Sequence, residues 1–146
     1  MRRSKLLTVG LLIMLAGPAV AADCTTGPFL SPSAVQTAFD GKYLYDVSGN
    51  PSYDELHHIS ASDGTGGSGS VDEYKKGPSD PVDPSVVNYA TITIAVDGSG
   101  NAMLTYNYIS GFTTPALKVV NSGSSPYTFC NGATVYTTSV ASGSHG

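Results

Sequence analysis

Alternation with a period of two is clearest between Ala90 and Tyr108. Ala90, Ile92, Ile94 and Val96 alternate with Thr91, Thr93 and Ala95, and after Asp97-Gly98-Ser99-Gly100-Asn101 the residues Leu104, Tyr106 and Tyr108 alternate with Met103, Thr105 and Asn107. Successive side chains of a strand point to opposite faces, so the pattern predicts a β-hairpin with one apolar face, turned at the glycines. Upstream, Tyr43, Tyr45 and Val47 alternate with Lys42, Leu44 and Asp46 before a Ser48-Gly49-Asn50-Pro51 turn. Further strands are predicted over 53–59 and 70–75, flanking a Gly/Ser loop over 61–69. Three more, over 116–120, 127–130 and 133–140, are separated by Asn121-Ser122-Gly123 and Asn131-Gly132 turns.

A different period governs 33–39. Ser31 is placed to cap a short helix, Pro32 suits its first turn, and Val35, Ala38 and Phe39 fall on one face, with Asp40-Gly41 as the stop. About eight short strands joined by turn-length connections predict an all-β fold. It is a small antiparallel meander barrel, lipocalin-like in shape, or a sandwich, with the N-terminal helix covering one end. The tail 142–146 is expected to fray.

The first 22 residues read differently. Arg2, Arg3 and Lys5 precede an apolar run over 6–15, and Ala19-Val20-Ala21 or Val20-Ala21-Ala22 offers small residues for cleavage, the order of a secretory signal peptide. An apolar run of about ten residues is half the length that spans a bilayer. Asp23 beside Cys24 argues against a lipidated cysteine. The chain therefore divides into a leader, 1–22, and one domain, 23–146, exported to the periplasm or the exterior.

Losing the leader removes three of the seven basic residues and none of the eleven acidic ones, leaving a net charge of about −7. Such a surface repels phosphate backbones and anionic lipid, which excludes nucleic acid and membrane insertion as natural partners. The two cysteines, Cys24 and Cys130, are expected to form a disulfide in an exported chain.

Chemistry is sparse. On a strand, His57 and His58 point to opposite faces and cannot share a metal, whereas Glu55 and His57 share one. With Tyr74 from a neighbouring strand these two make a candidate polar site. Glu55 and Asp54 could equally form surface ion pairs with Lys75 or Lys76. Tyr106 and Tyr108 are candidate cavity-lining residues. Gly66-Gly67-Ser68-Gly69 lies between Asp63 and Asp72 but misses the spacing of calcium-binding glycine repeats. No Gly-x-Ser-x-Gly, His-Glu-x-x-His or phosphate loop occurs. No metal or other cofactor is expected.

The run Asp72-Glu73-Tyr74-Lys75-Lys76-Gly77-Pro78-Ser79-Asp80-Pro81-Val82-Asp83-Pro84, with Glu55-Leu56-His57-His58, Thr105-Tyr106-Asn107-Tyr108 and Phe129-Cys130, resembles a group of small exported bacterial proteins without an assigned activity. Tyr89-Ala90-Thr91 stands where that group often has Gly-Thr-Trp. The resemblance implies an exported domain and transfers no catalytic residue. Three prolines keep the 76–84 loop out of a central strand and make it a stiff surface for recognition.

These readings converge on a monomeric, non-catalytic exported domain that binds a small molecule or a protein. An enzyme using Glu55, His57 and Tyr74, and a structural subunit of an extracellular assembly, stay open. When the chain is expressed with its leader in a secreting bacterium, N-terminal sequencing of the released product is expected to begin at Ala22 or Asp23. A product beginning at Met1 would refute the leader.

Overall fold

A computed structural model describes residues 23–46, 53–75, 85–132 and 134–143. The predicted leader, the 48–51 turn and the proline-rich loop lie outside the described residues. One helix, α1 (Pro32–Phe39), precedes eight strands: β1 (Lys42–Asp46), β2 (Tyr53–Ser62), β3 (Gly66–Lys75), β4 (Val86–Val96), β5 (Ala102–Tyr108), β6 (Lys118–Val119), β7 (Tyr127–Asn131) and β8 (Thr134–Gly143). They form an antiparallel sheet in the order β5-β4-β3-β2-β1-β8-β7-β6. Apart from the pairing of the first strand with the last, every neighbour in that order is a neighbour in sequence.

One bridge links the end strand β5 to the segment that leads into β6. Leu104 and Leu117 exchange both backbone hydrogen bonds at 2.8 Å, forming a single bridge between β5 and the residue before β6. Beyond it the gap is occupied by the N-terminal segment. Leu30 donates its N–H to the Val119 carbonyl at 2.9 Å and accepts the Ala102 N–H at 2.9 Å, so one residue satisfies backbone groups on both end strands. The Cys24–Cys130 disulfide holds this segment to β7, with a Cα–Cα distance of 5.5 Å and a sequence separation of 106.

Helix α1 forms where Ser31 caps it, accepting the Ala34 N–H at 3.4 Å, with Pro32 in the first turn. Its buried residues, Pro32, Val35 and Phe39, face the sheet. Gln36 of α1 and its C-cap residue Asp40 finish the β2 edge beyond the first residue of β1. The Asp40 carboxylate accepts the Ile59 N–H at 2.9 Å, and the Gln36 side-chain oxygen accepts the Ala61 N–H at 2.8 Å. Phe39 packs edge-on to Tyr127 at 5.0 Å and stacks on Phe129 at 5.9 Å. One core follows, from Leu30, Val35 and Phe39 through Leu44, Ile59, Val71, Ile92 and Leu104 to Val119 and Phe129.

The predicted 90–108 hairpin is present in full register, from Ala90–Tyr108 to Val96–Ala102. Two details differ from the sequence reading, the 61–69 loop and the chain end at 142–143. The Gly/Ser loop over 61–69 is a tight turn at 63–65, and its glycines run in β3, paired from Ser62–Gly66 onward. Crowding explains the composition: a Cβ at Gly67 would lie 2.1 Å from the Ser60 carbonyl oxygen, and one at Gly69 2.3 Å from that of His58. Asp63 faces α1, accepting the Ser33 N–H and hydroxyl at 3.1 and 2.9 Å. Glu55 stands opposite Glu73 and Asp54 opposite Tyr74; the Lys75 and Lys76 side chains of the ion pairs considered above lie outside what is described. Ser142 and Gly143 do not fray but pair with Leu44 and Tyr43.

A bridge that closes a loop of this length contributes about 4–5 kcal/mol in the chain-entropy model. Replacing both cysteines by serine is expected to lower the unfolding free energy by about 3–5 kcal/mol in urea titration. A loss below about 1 kcal/mol would show that the N-terminal segment holds its place without the bond.

Candidate functional site

The interior has two unlike ends. At the α1 end it is filled by Phe39, Tyr127 and Phe129. At the other end, where β3 passes into β4 and β5 turns toward β6, polar groups enter. Glu55 is in register with Leu44 on one side and Glu73 on the other. Because Leu44 is a core residue, the alternation of the strands turns both carboxylates inward. Burial pushes the Glu55 carboxyl up to about 7, and the facing Glu73 adds to the shift.

His57, two residues along β2, is 1 % exposed. Its Nδ1 lies 3.1 Å from the Glu55 carbonyl oxygen. That carbonyl can only accept, so Nδ1 carries the proton and Nε2 is the bare nitrogen. Burial lowers its pKa to about 4; the Glu55 carbonyl opposes the shift and His58 adds to it. The imidazole is therefore neutral at physiological pH, packed between Tyr106 at 5.7 Å and Phe39 at 6.4 Å.

Tyr106 and Tyr108 come inward from β5. Tyr106 is 4 % exposed, and its hydroxyl is buried without a hydrogen-bond partner among the described residues. Burial raises its pKa first, and the Glu55 charge raises it further. Tyr108, stacked on Tyr106 at 6.2 Å, is shifted upward by the same two causes in the same order. The Glu55 charge is thus felt by both phenols. Tyr89 meets Tyr108 edge-on at 5.3 Å, and Phe112 lies 6.1 Å beyond it.

The rim is apolar. Val87, Ile109 and Phe112 are the exposed large hydrophobic residues among those described, each at least 60 % exposed. Ile109 and Phe112 belong to the β5–β6 turn, which is tied to β4 by the Ile109 N–H on the Tyr89 carbonyl at 3.0 Å. Val87 sits in a β4 bulge: Val71 opposes Ala90 while Glu73 opposes Val86. Asn88 takes up the extra length at φ 53, a left-handed conformation that asparagine tolerates. Its N–H is fixed by the Asp72 carboxylate at 2.8 Å. Bulges of this kind cluster at sheet rims and re-aim side chains.

Of the residues singled out from sequence, Glu55, His57, Tyr106 and Tyr108 come together. Tyr74 does not. It opposes Asp54 in register, on the outer face, and packs edge-on to Tyr43 at 5.3 Å. His58 is also outside, 3.0 Å from Asp72. Glu73, Tyr89 and the three rim residues escaped the sequence reading; the 63–65 turn alone would have identified Glu73, because it sets the β2–β3 register. Among the described residues no three His, Cys, Asp or Glu side chains gather as a metal-ligand set. A groove of about 450 Å³ between α1 and the segment after β6, bordered by Ser33, Ala34, Thr37 and Tyr127, carries no charged side chain. No family model, curated protein or solved structure matches the chain.

A carboxyl whose pKa is raised on folding opposes folding as it ionises. That penalty is absent below the unfolded value of 4.5 and complete above about 7. Glu55→Gln is therefore expected to match the parent at pH 4 and to exceed it by up to about 3 kcal/mol at pH 8, read from urea unfolding across pH. A gap that does not widen over that interval would show that Glu55 is not buried as described.

Proposed function

We propose that this chain is an exported, disulfide-tied domain that acts as a closed meander barrel and binds a small amphipathic ligand at the end opposite α1. The observation that carries the reading is a coincidence of place. All three exposed large hydrophobic residues among those described, Val87, Ile109 and Phe112, lie at the end where the interior holds Glu55, Tyr106 and Tyr108. A ligand with an apolar body and a polar tip is complementary to both layers.

Closure is supported by the Leu104–Leu117 bridge and by Leu30 bonding to both end strands. Export is supported by the leader pattern, by the disulfide, and by the absence among the described residues of a helix long and apolar enough to cross a membrane. A non-catalytic role is supported by the separation of Tyr74 from Glu55 and His57, and by a histidine that stays neutral down to about pH 4.

Burying an exposed aromatic or branched side chain against a ligand is worth about 1.5–3 kcal/mol. The neutral fluorophore N-phenyl-1-naphthylamine is expected to bind the mature domain with a blue-shifted emission. The double variant Ile109→Ser/Phe112→Ser should weaken that binding at least about tenfold with little change in melting temperature. Equal binding by parent and variant would move the ligand away from this rim.

A further inference from the structure

We propose that the polar tip of the ligand is a protonated amine, held among the Glu55 and Glu73 carboxylates and the Tyr106 hydroxyl, with its hydrocarbon portion passing Tyr108 toward Ile109 and Phe112. This rests on the binding reading above and names the ligand class for the same site.

Three separate observations lead there. Glu55 and Glu73 stand directly opposite each other on the inward face, and among the residues whose side chains are described neither has a cationic partner. Lys118 is engaged by Asp97, and Lys42, in register with His57, is exposed. The neutral imidazole of His57 supplies no charge, so the pair attracts a cation from outside. Second, the buried Tyr106 hydroxyl lacks a partner, although such groups are almost always hydrogen-bonded. An ammonium has three donors and no acceptor, matching two carboxylates and one hydroxyl oxygen. Third, the walls are aromatic: Tyr106 and Tyr108 stack at 6.2 Å and Tyr89 meets Tyr108 at 5.3 Å, so ring faces are available to a cation.

Other head groups fit less well. A carboxylate or phosphate would meet two like charges, and the net charge of about −7 on the domain outside the leader repels anions at a distance. A divalent metal lacks a third acidic or imidazole ligand. An alcohol satisfies Tyr106 but leaves the carboxylates facing each other.

The test is calorimetric titration of the oxidised mature domain at pH 8 and low salt with hexylammonium, 1-hexanol and hexanoate. Hexylammonium is expected to bind at least about tenfold more tightly than hexanol, with no detectable hexanoate binding. Glu55→Gln should bring the amine-to-alcohol ratio close to one, and Tyr106→Phe should reduce it several-fold. Equal affinity for hexanol and hexylammonium would overturn the amine while leaving a ligand-binding mouth. Failure of all three probes, together with failure of the neutral fluorophore, would overturn both. Lys75 lies two residues beyond Glu73 on β3; tenfold tighter amine binding in Lys75→Ala would show that an internal cation already serves the carboxylates, and would also overturn the proposal.

Discussion

Leu30 makes the arrangement of the sheet possible. A sheet of eight consecutive antiparallel strands has two ends, each with unpaired N–H and C=O groups, and burying such groups without partners is costly. Here Leu104 and Leu117 exchange hydrogen bonds, and Leu30 bonds to Val119 and Ala102. The segment carrying Leu30 has little regular structure of its own. It is held by a covalent bond to β7 and by the bridge between Phe29 and Val120. The same residue leads directly into α1, so its placement also aims the helix.

The helix in turn gives the interior its polarity. Gln36 and Asp40 replace strand partners for Ala61 and Ile59, which seats Phe39 among Tyr127 and Phe129 and fills that end with apolar rings. Nothing equivalent covers the other end among the described residues. Glu55, His57 and Tyr106 bring polar groups into that end. Two of the buried titratable groups, Glu55 and His57, pull in opposite directions. Glu55 disfavours folding as pH rises toward 7, and His57 disfavours it as pH falls from 6.5 toward 4. Their effects largely offset one another between those limits.

What the sequence disclosed depended on side chains being present to show a period. The 90–108 hairpin, the Ser31 cap and the cysteine pair were legible because each is marked by residue type at fixed spacing. The glycines at 66, 67 and 69 were not, since a strand whose neighbours leave no room for Cβ has no alternation to read. That gap hid the 63–65 turn, and with it the register that opposes Glu55 to Glu73 and sends Tyr74 outward. The Asn88 bulge was invisible for a related reason: its extra residues match in polarity an ordinary strand start.

The pairing of β1 with β8, and of Cys24 with a cysteine 106 positions later, bears on the order in which the molecule can be completed. The earliest elements to be synthesised have their partners among the last, so a ribosome that has delivered everything through β6 has delivered no finished sheet. Until residues 130–143 emerge, Cys24 is an unoccupied thiol and β1 has one bare edge. The nascent chain must therefore be kept from wrong partners for nearly its whole synthesis, and premature termination anywhere upstream leaves a product with a reactive sulfur at its front.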